Sequence, residues 1–81
     1  MKVAVRLFAQ MRLSLGRSRV DLELPEGASL DQALARFYDQ YPGLRELAPS
    51  CMVSVGLDYA QPDQVLREED EISIIPPVQG G

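Results

Sequence analysis

The chain has 81 residues and a formal net charge of −4, with eight Lys and Arg against twelve Asp and Glu. That length holds one compact domain rather than two, and an acidic chain without a basic stripe argues against a nucleic-acid partner, whose binding depends on Lys and Arg neutralising phosphates. With no histidine and one cysteine, Cys51, an internal disulfide is excluded and a zinc or iron–sulfur site lacks ligands. No apolar run approaches bilayer length. Arg6 interrupts what would be the apolar stretch of an export signal, so the expected compartment is the cytoplasm.

From Lys2 to Phe8 the residues alternate, with Val3, Val5 and Leu7 on one face and Lys2, Ala4, Arg6 and Phe8 on the other. This predicts a strand with one side buried. Ala9 to Leu15 changes to good helix formers, and Gly16 is a fitting C-terminal stop. Arg19 to Leu24 is the cleanest period-2 segment: Val20, Leu22 and Leu24 alternate with Arg19, Asp21 and Glu23 before Pro25-Glu26-Gly27 ends the run. The two strands are expected to be antiparallel neighbours.

Ser29 opens the strongest predicted helix, with Gln32 placed to complete a capping box. Leu30, Ala33, Leu34, Phe37 and Tyr41 make one apolar stripe at helical spacing, and Pro42-Gly43 ends it. Leu44 to Ala48 adds a further turn before Pro49. Cys51 to Val55 reads as a strand, with Cys51, Val53 and Val55 facing one way and Met52 and Ser54 the other. Gly56-Leu57-Asp58-Tyr59 reads as a turn and Gln61-Pro62-Asp63 as a loop. After the charged turn Arg67-Glu68-Glu69-Asp70, the β-branched, mostly apolar segment Ile72 to Ile75 is an interior strand. A long helix on one face of a mixed sheet is an α+β layer arrangement. The element order fits a β-grasp, or ubiquitin-like, roll over residues 1–76, followed by an extended tail over 77–81.

Little in this sequence could catalyse a demanding reaction alone. The commonest general acid–base side chain is missing, there is no phosphate-binding Gly-rich loop ending in Lys and Ser or Thr, and the carboxylates fall mainly in solvent-facing positions. Cys51, on the apolar face of its predicted strand, reads as a small buried hydrophobe with a raised pKa rather than a nucleophile. The C-terminus is different. Pro76-Pro77 cannot continue a central strand and favours a stiff extended exit, and Gly80-Gly81 follows with no side chain and wide backbone freedom. Such a tail can thread a narrow channel and deliver its terminal carboxylate to a partner's active site. Activation by ATP would turn that carboxylate into an acyl-adenylate, and a sulfur donor could then leave a thiocarboxylate. A Gly-Gly ending taken alone also describes a frayed terminus; joined to the element order and the Pro-Pro exit it is a specific signal.

The ending Asp70-Glu71-Ile72-Ser73-Ile74-Ile75-Pro76-Pro77-Val78-Gln79-Gly80-Gly81 resembles that of the molybdopterin synthase small subunit family, sulfur carriers with the β-grasp fold. Leu7-Phe8-Ala9 with Arg12 resembles that family's first strand and following helix, and Leu24-Pro25-Glu26-Gly27-Ala28-Ser29-Leu30 resembles its strand-to-helix junction. The resemblance implies a cycle: an adenylating enzyme related to ubiquitin-activating enzymes activates Gly81, and a sulfur relay converts it to a thiocarboxylate. The large synthase subunit then uses the sulfur to build the dithiolene of molybdopterin, in an assembly of two small and two large subunits with each tail inserted. The chain itself would bind no cofactor, ATP being used by the activating partner. Two departures stand out: Val55-Gly56 where the family commonly has Val-Asn, and Glu68-Glu69-Asp70-Glu71 where it commonly has Asp-Gly-Asp-Glu. If that tight turn is kept, Glu69 carries a positive φ at a cost of about 1 kcal/mol.

For partner contact, Phe8, Tyr59 and Ile75 form an exposed apolar patch in one reading, while in the other Phe8 and Ile75 belong to the core. Pro76, Pro77 and Val78 would accompany Gly80 and Gly81 into the partner, and Arg12 either meets the activating enzyme or is a solvated helix arginine. Alternative readings are a sulfur carrier for thiamine, tRNA thiolation or cysteine, a ubiquitin-like modifier, or an interaction domain whose Gly-Gly is incidental. A β-grasp ferredoxin is excluded because its cluster needs four cysteines.

Overall fold

Alternation of apolar and polar residues becomes, in the computed structural model, a sheet with one covered and one open face. The structure describes residues 1–77. Its elements are β1 (Lys2–Leu7), α1 (Ala9–Leu15), β2 (Arg19–Glu23), α2 (Leu30–Gln40), a 3-10 helix (Pro42–Ser50), β3 (Met52–Val55), β4 (Asp58–Tyr59) and β5 (Glu71–Ile75). The five-stranded sheet has the order β2-β1-β5-β3-β4. β1 and β5 are parallel, and the other pairings are antiparallel. This is the expected α+β β-grasp roll, with the β-branched β5 in its central position. No helix among the described residues is long and apolar enough to cross a membrane.

The covered face holds Val3, Val5, Leu7, Val20, Leu22, Ile72 and Ile74, packed with Leu30, Ala33 and Phe37 of α2. The start of α2 is fixed by a reciprocal cap. The Gln32 backbone N–H donates to Ser29 Oγ at 3.3 Å, and the Ser29 N–H donates to Gln32 Oε1 at 2.8 Å. Its buried stripe differs from the expected one at the edges: Tyr38 is buried, whereas Leu34 and Tyr41 pack only partly against the core.

Three local expectations are corrected. Ala4 is buried although it points to the open face. Its strand lies between β2 and β5, with Asp21 and Glu71 opposite it, so longer neighbours cover its methyl group. Cys51 lies outside β3, as the residue that closes the 3-10 helix. Asp58–Tyr59, read as a turn, pairs with Ser54 and Val55 as an edge strand. The turn ahead of it is only Gly56-Leu57, with Gly56 at φ 61°.

The turn before β5 sets where that strand begins. The Arg67 N–H donates to Asp70 Oδ2 at 2.8 Å, and the Asp70 N–H donates to the Arg67 carbonyl at 3.0 Å. The Glu69 N–H donates to the Lys2 carbonyl at 2.8 Å, and both Glu68 carboxylate oxygens accept from the Lys2 N–H at 3.1 Å. These bonds tie the turn to the start of β1. Glu69 has φ 68°, as the departure from the family's glycine implied. A side chain in this left-handed region is strained, so Glu69→Gly is expected to stabilise the domain by about 1 kcal/mol. The check is a higher urea midpoint at unchanged slope.

Tyr38 makes an edge contact with Phe37, their ring centroids 5.1 Å apart. Burial, with a smaller contribution from the nearby Cys51, pushes its phenol from the usual 10 up to about 12. The folded state therefore holds the phenolic proton more tightly than the unfolded chain does. Stability conferred by this group is fully present below pH 10 and is lost as pH rises from 10 toward 12. Denaturant midpoints measured across that range should fall, and Tyr38→Phe should flatten the fall.

Candidate functional site

Strand β5 delivers the tail from the centre of the sheet. It pairs with β1 on one side, Leu7 opposite Ile74, and with β3 on the other, Ile75 opposite Met52. Pro76 is fully buried and Pro77 is exposed. The ring of Pro76 therefore anchors the root of the tail inside the domain, where the sequence suggested partner contact; Pro77 is the first exposed residue after it. Val78, Gln79, Gly80 and Gly81 lie outside the described residues.

The register places three of the predicted contact residues on the open face. Ile75 alternates with the buried Ile72 and Ile74 and is 39% exposed. Phe8, in extended backbone one residue past β1, falls level with Ile75 by the parallel register. Tyr59 is opposite Ser54, which puts it diagonal to Met52, within the roughly 7–8 Å over which such neighbours interact. Tyr59 is 79% exposed and Met52 53%. Phe8, Ile75, Met52 and Tyr59 therefore mark out an apolar strip across four strand positions, beside the root of the tail. Phe8 is half-buried and Ile75 partly exposed, so neither belongs to the core in full. Sequence reasoning missed Met52 because only the pairing with Ile75 brings it into the strip.

The other half of the open face is charged. Arg6 Nη1 lies 3.3 Å from Glu71 Oε1, and Arg19 Nε lies 3.2 Å from Asp21 Oδ1. The Arg6 guanidinium also sits 5.6 Å from the centroid of the Phe8 ring, a cation–π distance, so it joins the charged half to the apolar strip. Arg12 is exposed on α1, the short helix that follows Phe8. Between them Ala9, the first residue of α1, has φ 51°, a strained conformation for a residue with a side chain.

Cys51 is half-buried, and its thiol donates to the Leu47 carbonyl at 3.0 Å. Burial pushes its pKa up, which keeps the sulfur protonated and poorly nucleophilic at neutral pH.

The ThiS family model matches residues 5–81. The molybdopterin synthase sulfur carrier subunit of Chlamydomonas reinhardtii is 31% identical over 83 residues, covering the whole of both chains. The small archaeal modifier protein 1 of Methanosarcina acetivorans superposes with a TM-score of 0.84 at 26% identity, over 99% of this chain and 96% of that one. A chain from the complex of subunits 1 and 2 of the molybdopterin-converting factor of Helicobacter pylori superposes with a TM-score of 0.72 at 25% identity, over the full length of both chains.

Proposed function

The chain belongs to the ThiS family, and from that premise we propose that it is a sulfur carrier of molybdopterin synthesis that works through its Gly81 carboxylate. The observation that carries this reading is a full-length likeness to molybdopterin synthase sulfur carrier subunits in a chain that ends Gly80-Gly81. A partner enzyme related to ubiquitin-activating enzymes supplies ATP, and the carboxylate oxygen attacks the α-phosphate to give an acyl-adenylate and pyrophosphate. A sulfur relay protein then delivers sulfide-level sulfur to the carbonyl carbon; the C–S bond forms as the C–O bond to AMP breaks. The resulting thiocarboxylate passes its sulfur to the pterin precursor on the large synthase subunit. The chain contributes delivery: a buried Pro76 fixes the root, the exposed Pro77 follows it, and two glycines present no β-carbon to a narrow channel.

The apolar strip of Phe8, Met52, Tyr59 and Ile75 is the surface that meets the large subunit, and the exposed Arg12 of α1 serves the activating enzyme. Anchors of this kind, apolar and close to the centre of a contact, carry most of the binding energy. Ile75→Arg is expected to weaken binding to the large subunit by about 30-fold or more, as loss of a hot spot of roughly 2 kcal/mol implies, with the circular dichroism spectrum preserved. Titration calorimetry reads this; an unchanged dissociation constant in the folded variant would remove the strip from the interface. The likeness to a protein named a modifier favours a second reading, in which the same activated carboxylate is joined to an amine.

A further inference from the structure

Lysine is used once in this chain, at Lys2, against seven arginines. Arginine does not deprotonate at accessible pH, so Lys2 is the only side-chain amine that an activated carboxylate can acylate. It is exposed at the start of β1, and its side chain lines a shallow recess of about 360 Å³ on the charged half of the open face, together with Asp21, Glu69 and Glu71. It makes no ion pair among the described residues, whereas Arg6, Arg19 and Arg45 each do. The other amine of the chain is engaged: the Met1 α-amino group donates to the Leu24 carbonyl at 2.8 Å and faces Glu23 at 4.0 Å.

The position of Lys2 also decides between reaction within one copy and reaction between copies. β1 and β5 are parallel, with Leu7 level with Ile74, so Lys2 and the strand end at Ile75 lie at opposite ends of the sheet. Six residues of strand separate the two levels, about 20 Å at the usual rise. Only six residues follow Ile75, two of them prolines, and their full extension is also about 20 Å. A chain reaching its own Lys2 would have to double back at once through Pro76-Pro77. A second copy faces no such constraint.

We propose that Lys2 is an isopeptide acceptor for the activated C-terminus of another copy of this chain, so that copies join head to tail through a single Gly81–Lys2 bond type. The inference rests on activation of Gly81 as described above, and on no step beyond it. In the reaction, the neutral Nζ of Lys2 attacks the carbonyl carbon of the Gly81 acyl-adenylate. The N–C bond forms, the C–O bond to AMP breaks with its electron pair leaving on AMP, and the amine proton passes to solvent. ATP, through the activating enzyme, is the only co-reactant.

The test incubates the full chain with the purified activating enzyme and Mg-ATP, with the sulfur donor withheld, and follows intact mass. A parallel arm contains hydroxylamine, which traps activated Gly81 as a hydroxamate. The expected product is a covalent dimer of twice the chain mass less one water, with the branch mapped to Lys2. It should be absent from Lys2→Arg, whose backbone bonds to Glu68 and Glu69 are unaffected by the change. Mixing Lys2→Arg as donor with a chain lacking Gly80 and Gly81 as acceptor should restore the dimer, although neither forms it alone. Hydroxamate without a Lys2-linked dimer, the same dimer in Lys2→Arg, or a cyclised monomer would overturn the inference while leaving activation intact. Absence of hydroxamate would remove the activation step itself, and this inference with it.

Discussion

Removing Gly80 and Gly81, or adding one residue after Gly81, is expected to abolish sulfur transfer completely while leaving the domain folded. Both changes lie at least four residues beyond Pro76, the last buried residue among those described, and denaturation midpoints are expected to match the parent within about 0.5 kcal/mol, the range of surface changes. Activity should nevertheless fall to background, because the reacting carbonyl is displaced or replaced. A displacement of about 1 Å at a reacting centre already costs on the order of 100-fold. The comparison between added and deleted residues is informative. An incidental Gly-Gly would tolerate both; a reacting terminus tolerates neither. Substituting Gly81→Ala tests the channel separately, since it keeps chain length and carboxylate and adds only a methyl group.

The second large effect is on stability. Phe37 is fully buried at the centre of the face that α2 presents to the sheet, 5.1 Å from the Tyr38 ring and 5.2 Å from that of Tyr41. Phe37→Ala leaves a cavity within the core cluster, and such truncations cost about 3–5 kcal/mol. A domain of this length has a total stability of roughly 4–12 kcal/mol. The variant should therefore lose a quarter or more of its stability, and unfold at physiological temperature if the parent lies near the low end. Urea denaturation followed by circular dichroism measures the loss. Phe37→Leu, which keeps most of the volume, should cost far less, and a loss as large as that of the alanine variant would contradict cavity formation as the cause.

These two variants separate what the amino-acid sequence made legible from what it did not. β1, β2 and α2 were readable because their patterns are local: period 2 in Lys2–Leu7 and Arg19–Glu23, and a capped 3.6-residue stripe from Ser29. The central place of β5 followed from the β-branched, mostly apolar composition of Ile72 to Ile75. The errors fall where pairing at long range overrides local pattern. Ala4 is buried by neighbours from two other strands. Tyr59 enters the sheet only because Ser54 lies opposite it, and Cys51 is held by the carbonyl of Leu47 at the close of a 3-10 helix that runs through Pro49. The same divide applies to the site. Gly80-Gly81 and its Pro-Pro lead are a linear motif, visible without a structure. The apolar strip is a product of register, so Met52 and the stacking of Arg6 on Phe8 had no linear signal. Glu69 is the intermediate case: a substitution of a turn glycine predicted strain, and the backbone carries it.

The most direct test of the account is the intact mass of the chain after incubation with ATP, its adenylating partner and a sulfur donor. The account predicts a gain equal to exchange of one oxygen for sulfur, mapped by fragmentation to Gly81 and absent when either ATP or the donor is omitted. An unchanged mass, under conditions that convert a known sulfur carrier with its own partner, would contradict thiocarboxylate chemistry and leave the domain as an interaction module.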